Sequence, residues 1–193
     1  MLKKLQLLIF LLFILIVSIM AQDLQVTYVK KYPSQKEGKV KAYVHFKLNN
    51  VIMIRDAKVI DGQYGKFVGM PSIKVKEEWK DICFPITKDL RSHITDSILN
   101  DKFSSLETSK QKVDVTEIKI YRIKDAKGKV KAFCSITLNK VFVIKEIKII
   151  EGSKGLFIGW PSYKKSGKYK TVVYPVKQKK EIEQLILKKY NQD

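Results

Sequence analysis

Few residues in this chain are equipped for covalent chemistry. The only histidines are His45 and His93, and the only cysteines are Cys83 and Cys134. No His/Cys/carboxylate spacing matches a metal site. Pro71-Ser72 and Pro161-Ser162 offer hydroxyls, but neither is framed by a Gly-x-Ser-x-Gly elbow. Gly62, Gly65 and Gly69, with Gly152, Gly155 and Gly159, lie between strand-like runs, and no Gly-Lys-Ser/Thr follows them. They read as turn glycines rather than a phosphate loop. Both histidines read as ordinary surface residues, His45 on the polar face of a strand. The sequence therefore gives no seat for catalysis, and no cofactor or metal is expected.

What remains is cationic chemistry. The chain has 193 residues, 38 Lys+Arg against 19 Asp+Glu, and a formal charge of +19. Such an excess suits anionic partners: nucleic acid, anionic lipid or acidic wall polymer. The lysines cluster. Lys74, Lys76 and Lys80 have counterparts in Lys164, Lys165, Lys168 and Lys170, while Lys177, Lys179, Lys180, Lys188 and Lys189 crowd the C-terminal end. Trp79, Tyr163 and Tyr169 interleave with them, and aromatics beside cations suit stacking on bases. Scattered lysines on phosphates would give salt-dependent affinity with little sequence preference. A solvated basic face explains the same residues, and both readings stay open.

The elements that must position these residues occur twice. Residues 38–85 and 128–175 align without a gap at an offset of 90, and 20 of the 48 pairs are identical. A repeat this long needs a whole domain per copy, so the chain is one small domain used twice rather than a short-period solenoid. Domains of roughly 80 residues bury only about 60% of their unfolded surface, which favours packing the copies together as an internal pseudo-dimer. The expected division is copy one at 24–100, a serine-rich linker at 101–112 and copy two at 113–190.

Within copy one, 24–29 alternates as a strand. Val40, Ala42, Val44, Phe46 and Leu48 share one strand face, with Lys39, Lys41, Tyr43, His45 and Lys47 on the other. Asn49-Asn50 reverses the chain into a strand over 51–60. Asp61-Gly62 signals a hairpin, with glycine supplying the positive φ of the tight turn. A strand over 66–71, a loop over 73–78 and a last strand over 79–86 follow. The period then becomes helical, with Leu90, Ile94, Ile98 and Leu99 in one stripe and Thr87 or Asp89 as cap. Copy two repeats this order and closes with a helix over 181–190. The fold class is α+β, each copy a mainly antiparallel sheet of about five strands with a C-terminal helix. Cys83 and Cys134 lie where the other copy has Val173 and Val44, which reads as buried free thiols, with an inter-copy disulfide as the alternative.

Lys3 and Lys4 precede an apolar run over 5–20, followed by Ala21. This has the form of a secretory signal peptide, or of an uncleaved membrane anchor, although sixteen helical residues span only about 24 Å. Either reading expects the bulk of the chain in the periplasm or cell envelope, exported or tethered.

Each copy resembles the SpoVG (stage V sporulation protein G, septation regulator) family. Copy one carries the resemblance in Ile60-Asp61-Gly62, Gly65, Phe67-Val68, Met70-Pro71-Ser72, Asp81-Ile82 and Pro85-Ile86. Copy two carries it in Ile150-Glu151-Gly152, Gly155-Leu156-Phe157, Pro161-Ser162, Pro175-Val176 and Ile186-Leu187, with Trp160 where the family has Met. The resemblance implies a dimeric fold that binds DNA, and in some members RNA, and acts in septation, sporulation and gene expression. It also implies nucleic-acid contacts from basic residues on and just before the C-terminal helix. These are Lys88 and Arg91 in copy one and Lys177, Lys179 and Lys180 in copy two, with Lys179 opposite Arg91. The loop lysines Lys164 and Lys165 join them as candidates. The alternative is an exported envelope protein whose basic surface meets lipid or wall polymer; a purely structural interaction module is a third reading.

Overall fold

A computed structural model describes residues 24–103, 112–124, 127–165 and 167–192. The segment 1–21 expected as signal or anchor, and most of the linker expected at 101–112, lie outside the described residues. Copy one comprises β1 (Val26–Pro33), β2 (Val40–Leu48), β3 (Ile52–Gly62), β4 (Gly65–Gly69), β5 (Ser72–Val75), β6 (Glu78–Asp81), β7 (Cys83–Pro85) and α1 (Lys88–Leu99). Copy two repeats the series as β8 (Val115–Arg122), β9 (Val130–Leu138), β10 (Phe142–Gly152), β11 (Gly155–Gly159), β12 (Ser162–Lys165), β13 (Lys168–Thr171), β14 (Val173–Pro175) and α2 (Lys179–Gln192). The molecule is α+β, with two five-stranded antiparallel sheets, each followed by a helix.

Alternation builds the long strands. In β2, Val44, Phe46 and Leu48 are buried, and in β3 so are Ile52, Ile54, Ala57 and Val59. Asn49 and Asn50 both take left-handed φ (48° and 54°), and the Val51 N–H closes the turn onto the Leu48 carbonyl. At the next hairpin the conformational need falls on a different glycine from the one expected. The turn residues are Gln63 and Tyr64, and Gly65 is the one at φ +109°. Gly62 is tight for space instead, because a Cβ there would sit 3.0 Å from the Phe67 ring.

Helix α1 is capped by Thr87, whose Oγ1 accepts a hydrogen bond from the Leu90 N–H, and it buries Leu90, Ile94 and Ile98. It packs against β1 and β4 of its own copy, as α2 packs against β8 and β11. On α2, Ile182 and Ile186 are buried, whereas Leu185 is exposed.

The end of each copy departs most from the sequence reading. The loop expected over 73–78 and the strand expected over 79–86 are instead a small hairpin, β5–β6, and a separate short strand, β7. All four β6 residues are exposed, so no alternation marks the hairpin. The chain bends at Ile82, whose N–H donates to the Pro71 carbonyl, and β7 then leaves its own copy. It pairs antiparallel with β10, matching Phe142 with Pro85 and Ile144 with Cys83. Reciprocally, β14 pairs with β3, matching Ile52 with Pro175 and Ile54 with Val173. Each sheet is thus completed by the last strand of the other copy, and the pseudo-dimer is built through the backbone ladder. The buried residues of both copies form one apolar cluster. Cys83 and Cys134 are buried, free and on opposite sides of β10.

Candidate functional site

The exchange creates a seam at a fixed place on each long strand. The outer edge of β3 is shared, its C-terminal half pairing with β4 and its N-terminal half with β14. Between the halves lies a bulge: Arg55 and Asp56 face the single residue His45, and Asp56 is left-handed (φ 59°). The same bulge recurs at Lys145 and Glu146 (φ 59°), opposite Ser135. A bulge re-aims side chains and ends regular pairing. Here it turns a cation and a carboxylate onto the seam between copies, where the bulge amides bond across it. The Arg55 N–H donates to the Val172 carbonyl and the Lys145 N–H to the Ile82 carbonyl.

Two basic grooves flank these bulges and correspond through the repeat. In the first, Arg55 of copy one meets Lys168, Lys170, Tyr174 and Lys179 of copy two in a space of about 800 Å³. In the second, Lys145 of copy two meets Lys80, Asp81, Phe84 and Arg91 of copy one in about 510 Å³. The floor of each is a cation over an aromatic ring from the exchanged strand. The Arg55 guanidinium lies 5.0 Å from the Tyr174 centroid, and Lys145 Nζ lies 4.8 Å from that of Phe84. Arg55 Nε is buried without a hydrogen-bond partner.

Asp56 is the electrostatic hub. Its carboxylate accepts from Tyr163 Oη at 2.6 Å and Lys170 Nζ at 2.9 Å, both from copy two, and His45 Nε2 stands at 3.4 Å. Burial works to raise its pKa, but the hydrogen bonds from Tyr163, Lys170 and His45 prevail and hold it below the usual carboxylate value. Burial lowers the His45 pKa against the pull of Asp56, with Lys170 and Arg55 adding to the fall. Burial and the neighbouring carboxylate raise that of Tyr163. His45 is therefore a partly buried member of a polar cluster, which corrects the surface reading. His93 is also engaged, its Nε2 accepting from the Val26 N–H at 3.2 Å. In the second groove burial raises the pKa of Asp81 against Arg91, Lys145 and Lys58.

The candidates expected from sequence divide. Arg91 and Lys179 take corresponding places in the two grooves, and Lys168, Lys170 and Lys80 join them. Lys88, Lys177 and Lys180 are exposed but line neither groove, and Lys164 is exposed on β12. The Lys165 side chain lies outside those described. Sequence reasoning overlooked Arg55, Asp56, Lys145 and Glu146. Their signal was available: a cation followed by a carboxylate interrupts the apolar alternation at the same point in both copies.

Trp160 anchors the groove wall, its Nε1 donating to Glu183 Oε1 at 2.8 Å on α2, where Lys179 also approaches Glu183 at 3.9 Å. The arrangement presents fixed cations and aromatic faces, suited to a polyanion carrying flat groups.

Comparison with known proteins agrees with the duplication. The chain is 41% identical over 81 residues to a protein of Agathobacter rectalis named as a septation protein SpoVG, covering 40% of this chain and 92% of that one. A protein of the same name from Alkaliphilus metalliredigens is 38% identical over 95 residues, covering 49% and 97%. One from Bdellovibrio bacteriovorus is 37% identical over 82 residues, covering 41% and 74%. Each spans about one copy. The SpoVG family model matches twice, over 24–104 and again over 113–192, and the chain belongs to the SpoVG family as a tandem duplication.

Proposed function

We propose that this protein is a septation- or sporulation-type regulator that binds nucleic acid through its two basic grooves. The relatives' naming as septation proteins supports the process. The observation that carries the binding is the pair of grooves. Each gathers cations from both copies, and each includes the helix residue, Arg91 or Lys179, that the family resemblance singles out. Phosphates fit such a site, and the bond to the nucleic acid is electrostatic first. The doubled chain supplies both grooves without a second subunit.

The test is oligonucleotide binding across a salt series with Arg91→Ala and Lys179→Ala combined. Loss of two phosphate contacts lowers the slope of log affinity against log salt by about 2. Unchanged binding by the double variant overturns the assignment of these residues. The apolar segment over 5–20 supports a second reading, an exported or anchored protein whose basic surface binds anionic lipid or wall polymer. Among the described residues no helix is long and apolar enough to cross a membrane. Fractionation with N-terminal sequencing separates the readings. A mature start at Gln22 outside the cytoplasmic membrane, with the protein pulled down by envelope and not by DNA, selects the second.

A further inference from the structure

A third hollow, about 850 Å³, opens between the copies and shares Lys170 with the first groove. Its lining differs in kind. Trp79, Tyr43 and Tyr32 present aromatic surface to it and are 66%, 42% and 39% exposed. Tyr32 leans on His45, ring centroids 4.7 Å apart, and Lys58 Nζ sits 5.4 Å from the Trp79 ring. The Asp56 cluster forms a polar floor, and Lys58, Lys74 and Lys170 surround the opening with positive charge. Flat apolar walls, a polar floor and a cationic rim match a nucleotide whose base is unpaired: stacking on the walls, polar edge inward, phosphate outward. A base inside a duplex offers only its edges in the grooves and cannot reach these walls.

We propose that this cleft takes an unpaired nucleobase, and that a single strand runs from the Arg55 groove across Lys170 into it. The inference rests on the nucleic-acid reading above and adds to it a preference for single-stranded over duplex substrate. The position related to it by the repeat has Ser135 and Ile73 where this cleft has His45 and Tyr163, so one cleft per chain is expected.

The test compares a labelled single strand with its duplex, using the full chain, Trp79→Ala and Trp79→Phe. Trp79 is exposed and has no hydrogen-bond role, and a thermal melt confirms that each variant folds. The expected result is tighter binding of the single strand. Trp79→Ala weakens the single strand by about tenfold, the size of one lost base–aromatic stack, leaves the duplex unchanged, and is largely rescued by Trp79→Phe. Single-strand addition also quenches a fluorescence component that Trp79→Phe removes, since Trp160 is buried. Equal loss for both substrates, or no loss and no quenching, overturns the cleft while leaving the groove reading in place. Failure of both substrates to bind at low salt overturns the cleft and the groove reading alike.

Discussion

The two grooves share a backbone and differ in charge. The first is lined by Arg55, Lys168, Lys170 and Lys179 with no carboxylate, a formal +4. The second is lined by Lys80, Arg91 and Lys145 with Asp81 and Glu146, a formal +1 (three minus two). The contrast traces to a few aligned positions: Thr171 stands for Asp81 and Lys168 for Glu78, which pairs with Lys80 at 3.7 Å. The bulge carboxylates diverge as well. Asp56 holds Tyr163 and Lys170 across the seam and His45 within its own sheet, whereas the Glu146 carboxylate makes no hydrogen bond or ion pair among the described residues. Strand exchange fixes the frame of both grooves, so surface residues can diverge without cost to the fold. A duplicated chain can therefore keep one strongly and one weakly positive groove, which a symmetric dimer of identical subunits cannot.

Exchanging the distinguishing residues tests this most directly. Lys168→Glu with Thr171→Asp gives the first groove the second groove's character, and affinity for a single-stranded oligonucleotide at low salt falls by about tenfold or more. Glu78→Lys with Asp81→Thr does the reverse and raises affinity several-fold. Anisotropy titrations read both, and equal responses from the two exchanges would erase the functional difference between the grooves.

Stability separates the two bulges. Asp56→Asn removes the charge from a partly buried acceptor of Tyr163 and Lys170, and costs about 1–2 kcal/mol after allowance for solvent screening. Glu146→Gln loses no partner and stays within about 0.5 kcal/mol. Urea midpoints decide the matter, and matching losses would show that the cluster contributes nothing specific.

Acid sharpens the same contrast. His45 has a folded pKa below its ordinary 6.5, so the unfolded chain binds the proton more readily. The stability from neutral His45 is complete above about 6.5 and is lost as pH falls below it. Asp56 is likewise depressed from 3.8, and its contribution is lost as pH falls beneath that value. His45→Ser, which installs the residue of copy two, should flatten the decline in melting temperature between neutral and mildly acidic pH. A decline of unchanged slope assigns the titration elsewhere.

The smallest effects belong to the thiols. Burial pushes Cys134 up to about 12 and Cys83 higher still, so neither should react with a thiol reagent near neutral pH until the chain unfolds. Cys83→Val and Cys134→Val, each taking the other copy's residue, should shift stability by less than about 1.5 kcal/mol. Rapid labelling of the native protein would show that one of these strands opens readily.

Much of this architecture was legible because it is local or repetitive. The offset of 90 marks the duplication, alternation marks the long strands, and Thr87 before a helical stripe marks α1. The equivalence of Arg91 and Lys179 was legible too, since aligned helices carry aligned charges. Hairpin β5–β6 was not, because its exposed residues leave no periodic trace. The bulge cations were hidden by the assumption that a strand's polar positions all face solvent alike.

The amino-acid sequence alone determined the family, the copy number, the sheet-plus-helix class and the supply of positive charge, all properties of residue order within one copy. Only the tertiary structure decided which sheet each final strand joins. Alternation shows that Cys83 and Pro85 need a buried face but not whose backbone they pair with, since every strand edge offers the same N–H and C=O groups. That choice brings Arg55 to Tyr174, Tyr163 to Asp56 and the cations of both copies into each groove.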